Sequence, residues 1–123
     1  PLDAAESDKD ARDDARDTLT YYFARQSKLV KADAATRENI SDNSVREQTA
    51  ANLAALSYED ILATRAAVGG PGELVDRLEG WREALSLDGV VIEPNAGGRL
   101  PTEKVTESLR VLTHSVMPRF RKQ

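Results

Sequence analysis

The sequence contains no cysteine, which excludes disulfide bridges, thiolate metal sites and cysteine nucleophiles. It contains one histidine, His114, which excludes a multi-histidine metal centre and leaves little for a histidine-based triad. Aromatic residues make up only 5%, so a core has to be built mostly from Leu, Val and Ala. No apolar run approaches the roughly 18 residues of a membrane-spanning helix. No secretory signal is visible, and the expected setting is cytoplasmic. The first residue is Pro1 rather than Met, as expected for a piece of something longer.

What is present is a chain of 123 residues, the size of one domain. Apolar residues at 40% and charged residues at 31% exclude a fibrous or disordered chain. The net charge of −4 and the lack of aromatic stacking platforms argue against a nucleic-acid partner. Charge is polarised along the chain. Residues 1–17 hold seven acids (Asp3, Glu6, Asp8, Asp10, Asp13, Asp14, Asp17) against three bases (Lys9, Arg12, Arg16). Residues 99–123 hold six bases (Arg99, Lys104, Arg110, Arg119, Arg121, Lys122) against two acids, Glu103 and Glu107. This reads as solvated helix faces, or more sharply as a basic tail for an anion or an acidic partner.

The apolar spacing predicts several helices. Ser7 with Asp10 resembles a capping box, and Ala11, Ala15, Leu19 and Phe23 then recur on one face of a helix expected to end near Val30. Residues 31–44 are polar and irregular, with Asp42, Asn43 and Ser44 reading as a turn. Val45, Thr49, Leu53 and Leu56 resume a helical pattern. Ser57 with Asp60 offers a second cap for a short helix through Tyr58, Ile61 and Leu62, fading at Ala67 and Val68. Pro71 opens the clearest helix, with Leu74, Val75, Leu78, Trp81 and Leu85 on one face. Gly80 inside it costs about 1 kcal/mol relative to alanine, and a close neighbour is one reason to keep it. Asp88-Gly89 is a turn, and Val90, Val91 and Ile92 read as a short strand buried on both faces. Gly97-Gly98 is a loop. A last helix from Pro101 or Thr102 carries Val105, Leu109, Leu112 and Val116, and Pro118 ends it.

A strand buried on both faces needs strand neighbours, and Leu2 with residues 66–68 supplies only a few extended residues. The pattern of helix, buried strand, Gly-rich loop and helix is the repeating unit of a parallel sheet. The missing strands are then expected in sequence outside this chain.

The motifs agree with that expectation. The stretches "VGGPGELVDRL", "SLDGVVIEPN" and "NAGGRLPTEKVTESLRVLTHSVMPRF" resemble the C-terminal end of the luciferase-like, flavin-dependent monooxygenases. The segment "SDKDARDDARDTLTYYF" is similar to the family's region before its variable loops. The likeness is strong over 68–120 and loose before that. Where many relatives have Pro-Glu, this chain has Pro71-Gly72-Glu73. The resemblance implies an α/β fold, the C-terminal fragment of a TIM (β/α)8 barrel, mostly helical with one short buried strand; a small all-α bundle is the alternative. It implies one segment over 1–123, with a helical insertion or penultimate region over 1–67 and the last helix–strand–helix unit over 68–123. It also implies FMN or a deazaflavin as cofactor, a small-molecule substrate, oxidoreductase chemistry and, in many members, a homodimer. The 123 residues alone are expected not to bind flavin tightly.

Chemistry in a parallel barrel sits at the C-terminal ends of the strands, which places Glu93, Asn95, Gly97 and Gly98 toward the pocket. Asn95 offers an amide to a flavin edge or substrate, and the glycines let backbone amides approach a ligand. Gly69 and Gly70 precede a helix start, where an anion such as a flavin phosphate is favoured. The candidate cofactor residues are therefore Asn95, Gly97, Gly98, Gly69 and Gly70, although both stretches also read as ordinary turns. No catalytic residue and no metal ligand is assigned. His114 reads as a surface or interface residue and Trp81 as packing. Tyr22 is expected beside Phe23, with Tyr21 exposed and the Asp13-Asp14 pair solvated. The function expected is a C-terminal part that shapes a flavin pocket and closes a barrel, inactive alone. The alternative is a non-enzymatic helical interaction module or barrel-completing subunit.

Overall fold

The structure is a computed structural model that describes residues 1–36 and 40–121. It is mostly helical around a two-stranded parallel sheet. Strand β1 (Leu2–Ala4) leads into α1 (Asp8–Thr36), α2 (Ile40–Ala54) and α3 (Tyr58–Thr64). Strand β2 (Ala67–Gly69) then leads into α4 (Pro71–Leu85), and α5 (Thr102–Val111) follows a long irregular stretch. A π-helical turn, Leu112–Val116, and a 3-10 turn, Met117–Arg119, follow α5.

Local chemistry accounts for the helix starts. Ser7 Oγ accepts the Asp10 N–H at 3.1 Å, freeing neither group to water at the start of α1. Ser57 and Asp60 form a reciprocal capping box at α3, with each side chain bonded to the other's backbone N–H. Pro71 opens α4 where a missing N–H costs nothing. Two spans differ from the sequence expectation. Helix α1 runs past Val30 to Thr36, because α2 packs antiparallel to it: Ser27 Oγ donates to the Ala50 carbonyl and Arg46 pairs with Asp33 at 2.8 Å. Asn43 and Ser44 fall inside α2 rather than in a turn.

The sheet is the larger correction. Ala67 and Val68 are not a fading helix; with Gly69 they pair in parallel with β1, Leu2 opposite Ala67 and Ala4 opposite Gly69. Side chains alternate along a strand, so the sheet has two faces. Leu2, Ala4 and Ala67 pack with Leu74 and Leu78 of α4 and with Val111, Leu112 and Val116. Ala5, Ala66 and Val68 pack with Ala11, Ala15, Leu19 and Phe23 of α1 and with Tyr58 and Ile61 of α3. Helices therefore cover both faces, whereas the strands of a closed barrel carry helices on the outer face only.

Val90, Val91 and Ile92 form no strand. Val90 is half-exposed, and Val91 is fully exposed at 102%. A β-branched run becomes a strand only against a free edge. The far edge of β1 is already occupied, since the Leu2 N–H donates to the Glu93 carbonyl at 3.3 Å and the Ala4 N–H to Ser108 Oγ at 2.9 Å. The one short buried strand expected there is replaced by two elsewhere. In α5 the buried positions include Ser108 and Val111, while Leu109 lies outside the core. Gly80 has nothing within 4 Å of a hypothetical Cβ, so no close neighbour explains it.

Part of the charge polarity is resolved within the molecule. Helix α5 lies antiparallel to α1, with Arg99 paired to Asp17, Lys104 to Asp14 and Arg110 to Glu6 at 3.0–3.2 Å. These pairs lie at the surface, with Asp14 half-buried, and each is worth at most about 1 kcal/mol. Lys122 lies outside the described residues.

Candidate functional site

Gly69 and Gly70 bring the start of α4 against the start of α1. The Gly70 N–H donates to Asp8 Oδ1 at 2.6 Å. A Cβ at Gly69 would sit 2.6 Å from the Glu73 side chain, and one at Gly70 would sit 3.3 Å from the Glu6 carbonyl. A side chain at Gly69 would force Glu73 to shift, whereas one at Gly70 would only be tight, and the amide that an anion would use is held by Asp8.

Asn95, Gly97 and Gly98 form a different structure. Asn95 takes a left-handed backbone, φ 56°, and folds its side chain onto Leu100, accepting the Leu100 N–H at 2.8 Å and donating to its carbonyl at 3.3 Å. Thr18 of α1 holds this loop from the other side. Its hydroxyl donates to the Ala96 carbonyl at 2.6 Å and accepts the Arg99 N–H at 3.2 Å. Gly97 has φ 92°, and a Cβ there would lie 2.4 Å from the Thr18 carbonyl oxygen. Thr18 is a residue that sequence reasoning missed; a threonine in the middle of a polar helix carries no signal of it.

The five candidate residues thus divide between two clamps, one at Asp8 and one at Thr18. Asp8 and Thr18 are ten positions apart, about 15 Å along α1. They do not converge on one pocket, and none of them lines either of the clefts below. As arranged here, they do not fit a flavin cradle.

The larger cleft, about 720 Å³, lies between α1, α3 and α4 beside Val68. Lys9, Arg12, Arg16 and Arg77 line it together with Asp8, Asp13, Glu59 and Glu73. Most of these charges are engaged. Lys9 pairs with Asp13, Arg16 stacks 4.4 Å from the Tyr58 ring centroid, and Arg77 donates to the Leu62 and Ala63 carbonyls at 2.6 and 2.8 Å. Tyr58 donates its hydroxyl proton to the Arg12 carbonyl, and burial pushes the phenol up to about 12. Among the described residues, no serine, histidine or cysteine lines the cleft to act as a nucleophile. A smaller hollow of about 260 Å³ is floored by Leu2, Leu78 and Trp81 and flanked by Val90 and Val91.

His114 lies exposed in the π-helical turn, its Nδ1 within 3.0 Å of the Arg110 carbonyl and of Thr113 Oγ1. Trp81 packs half-buried under the Arg77 guanidinium. Tyr22 meets Phe23 edge-on with centroids 5.1 Å apart. Tyr21 is half-buried beneath Arg99, 4.1 Å from the ring centroid. Asp13 is exposed and Asp14 half-buried, each bonded to a lysine. Among the described residues no group of acids and histidines could hold a metal ion, and no helix is long and apolar enough to cross a membrane.

The second missed residue is Asp3. Asp3 is 2% exposed, and neither carboxylate oxygen has a partner in full hydrogen-bonding geometry. Burial pushes its pKa up, partly offset by the Asn95 backbone N–H and the Pro1 amino group. An acid between Leu2 and Ala4 was the available signal.

Comparison of the chain with family models, curated proteins and solved structures finds no match.

Proposed function

We propose that this chain is the C-terminal part of a flavin-dependent oxidoreductase resembling the luciferase-like monooxygenases, taking FMN or a deazaflavin in a cytoplasmic, homodimeric whole. The observation that carries the reading is the parallel pairing of β1 and β2, each strand running through a short turn into a helix. Parallel strands occur almost only within larger α/β sheets, and three residues per strand is too little sheet to stand alone. The exposure of the β-branched Val90 and Val91 is compatible with a partner strand outside this chain. In such enzymes the flavin supplies the redox chemistry. The part played by these residues is structural: packing α4 against the sheet and holding the 95–100 loop on α1. No chemical step is assigned to them.

The test uses the full-length product of the gene. A product that purifies with FMN that a reduced nicotinamide bleaches and air restores, or with a deazaflavin that bleaches on accepting hydride, supports the reading. A colourless product that binds neither FMN nor a deazaflavin overturns it.

A second reading is favoured by one observation: helices of this same chain cover both sheet faces, and α5 seals the far edge of β1. That arrangement suits a self-standing helical interaction module. A cooperative melt without dye binding supports it, whereas a broad, dye-binding transition is the mark of an incomplete sheet.

A further inference from the structure

The turn Asp88-Gly89 lies between two fixed points. On one side Ser86 ends α4 with a left-handed backbone, φ 51°, and the Leu87 N–H donates to the Arg82 carbonyl at 3.1 Å. On the other the Glu93 carbonyl accepts the Leu2 N–H at 3.3 Å. Among the described residues, none of 88–92 makes a hydrogen bond or an ion pair. Asp88 and Gly89 are both exposed, and nothing lies within 4 Å of a Cβ built on Gly89. Every other aspartate sits in a helix or in β1. The amide that follows such an aspartate is spent: that of Ala11 on the Ser7 carbonyl, that of Ile61 on the Ser57 carbonyl and that of Ala4 on Ser108 Oγ. Asp88 alone is followed by glycine.

These are the conditions of an internal cyclisation. An aspartyl carboxyl closes a five-membered imide when the backbone can turn the next amide nitrogen onto its Cγ. A helix forbids this, because it fixes the torsion and engages the N–H. Glycine permits it, because it turns freely and carries no side chain to block the approach. We propose that Asp88-Gly89 is a self-modification site, at which the folded chain converts Asp88 to isoaspartate through a cyclic imide. The Gly89 nitrogen attacks Cγ of the protonated carboxyl. The N–Cγ bond forms, the Cγ–OH bond breaks, and the hydroxyl leaves as water with the amide proton. Water then adds to the imide. Breaking the new N–Cγ bond restores aspartate, whereas breaking the original peptide bond leaves Gly89 joined through Cγ. One water is released and one consumed, so the composition is unchanged and no other reactant is needed. The product has one more carbon in its main chain and its carboxylate on Cα. The connection from α4 to the edge of β1 is thereby lengthened next to Val90 and Val91, which flank the hollow over Leu2 and Trp81. The site depends on neither reading of the function.

The experiment incubates the full chain at neutral pH in water enriched in oxygen-18, folded in one sample and in denaturant in another. Both are digested with trypsin in ordinary water. The peptide from Glu83 to Arg99 is read by mass spectrometry with electron-transfer fragmentation, which separates isoaspartate from aspartate. Passage through the imide leaves a heavy oxygen on residue 88, and digestion in ordinary water adds none. Label and isoaspartate are expected at residue 88 of the folded chain at a rate within about an order of magnitude of the denatured one. Gly89→Ala, which meets open space, is expected to slow both severalfold. The comparison of folded with denatured chain needs no variant. A folded chain that acquires no heavy oxygen at residue 88, or does so more slowly than that margin, overturns the proposal. So does a folded Gly89→Ala that labels as fast as the wild type.

Discussion

The hydroxyl of Ser108 accepts the backbone proton of Ala4 across 104 positions of sequence, at 2.9 Å. A helix side chain thereby does what a neighbouring strand would do. It satisfies an edge amide that would otherwise be buried unpaired or free to recruit another chain.

Ser108→Ala removes that acceptor from a site only 1% exposed. The expected loss is about 1–3 kcal/mol, the cost of an unsatisfied buried amide. Chemical denaturation measures it, and the Ala4 amide should show the largest rise in hydrogen exchange.

The glycines separate by environment. Gly97→Ala must shift the Thr18 carbonyl and hold a left-handed backbone, so a loss of about 2 kcal/mol or more is expected. Gly80→Ala meets open space inside α4, and a gain of about 0.5–1 kcal/mol is expected. Thermal melting of the two variants should move in opposite directions.

Apolar positions divide in the same way. Leu19→Ala empties a fully buried site and should cost about 2–5 kcal/mol. Val91→Lys, at full exposure, should change the stability of this chain by no more than about 0.5 kcal/mol. In a full-length barrel the same Val91→Lys change would place a charge in a buried strand and abolish soluble expression, so the pair of measurements also tests the proposed function.

Tyr58 should be the last of the three tyrosines to ionise in a spectrophotometric titration. Tyr21 should be the first, because the Arg25 hydrogen bond and charge lower it. The unfolded chain releases the Tyr58 proton near about pH 10 and the folded chain holds it to about 12, so stability falls as pH rises across that window. Tyr58→Phe should remove this slope and lose about 0.5–1.5 kcal/mol at neutral pH with the bond to Arg12.

Signals confined to one turn of helix were legible in the sequence. Pro71 with Leu74 and Leu78, and Ser57 with Asp60, mark α4 and α3 by spacing alone, and the structure repeats them. The strands were not legible. Leu-Asp-Ala and Ala-Val-Gly are too short to show a period, and only their mutual pairing makes them strands. Val90, Val91 and Ile92 misled for the converse reason, since β propensity names a side-chain shape and says nothing of a vacant edge. Asn95 and Gly97 were readable as turn formers, but the Thr18 contact that fixes them lies 77 positions away or more. The opposed charges at the two ends were visible, although their pairing with each other needed α5 to lie along α1.

Placing α1 and α4 on opposite sides of β2 has a consequence for assembly. Ring closure requires one side of the strands to be bare of helix. A longer polypeptide that folded this stretch first would have to strip Leu19 and Phe23 from Val68 before its remaining strands could join, and that detachment sets a kinetic barrier.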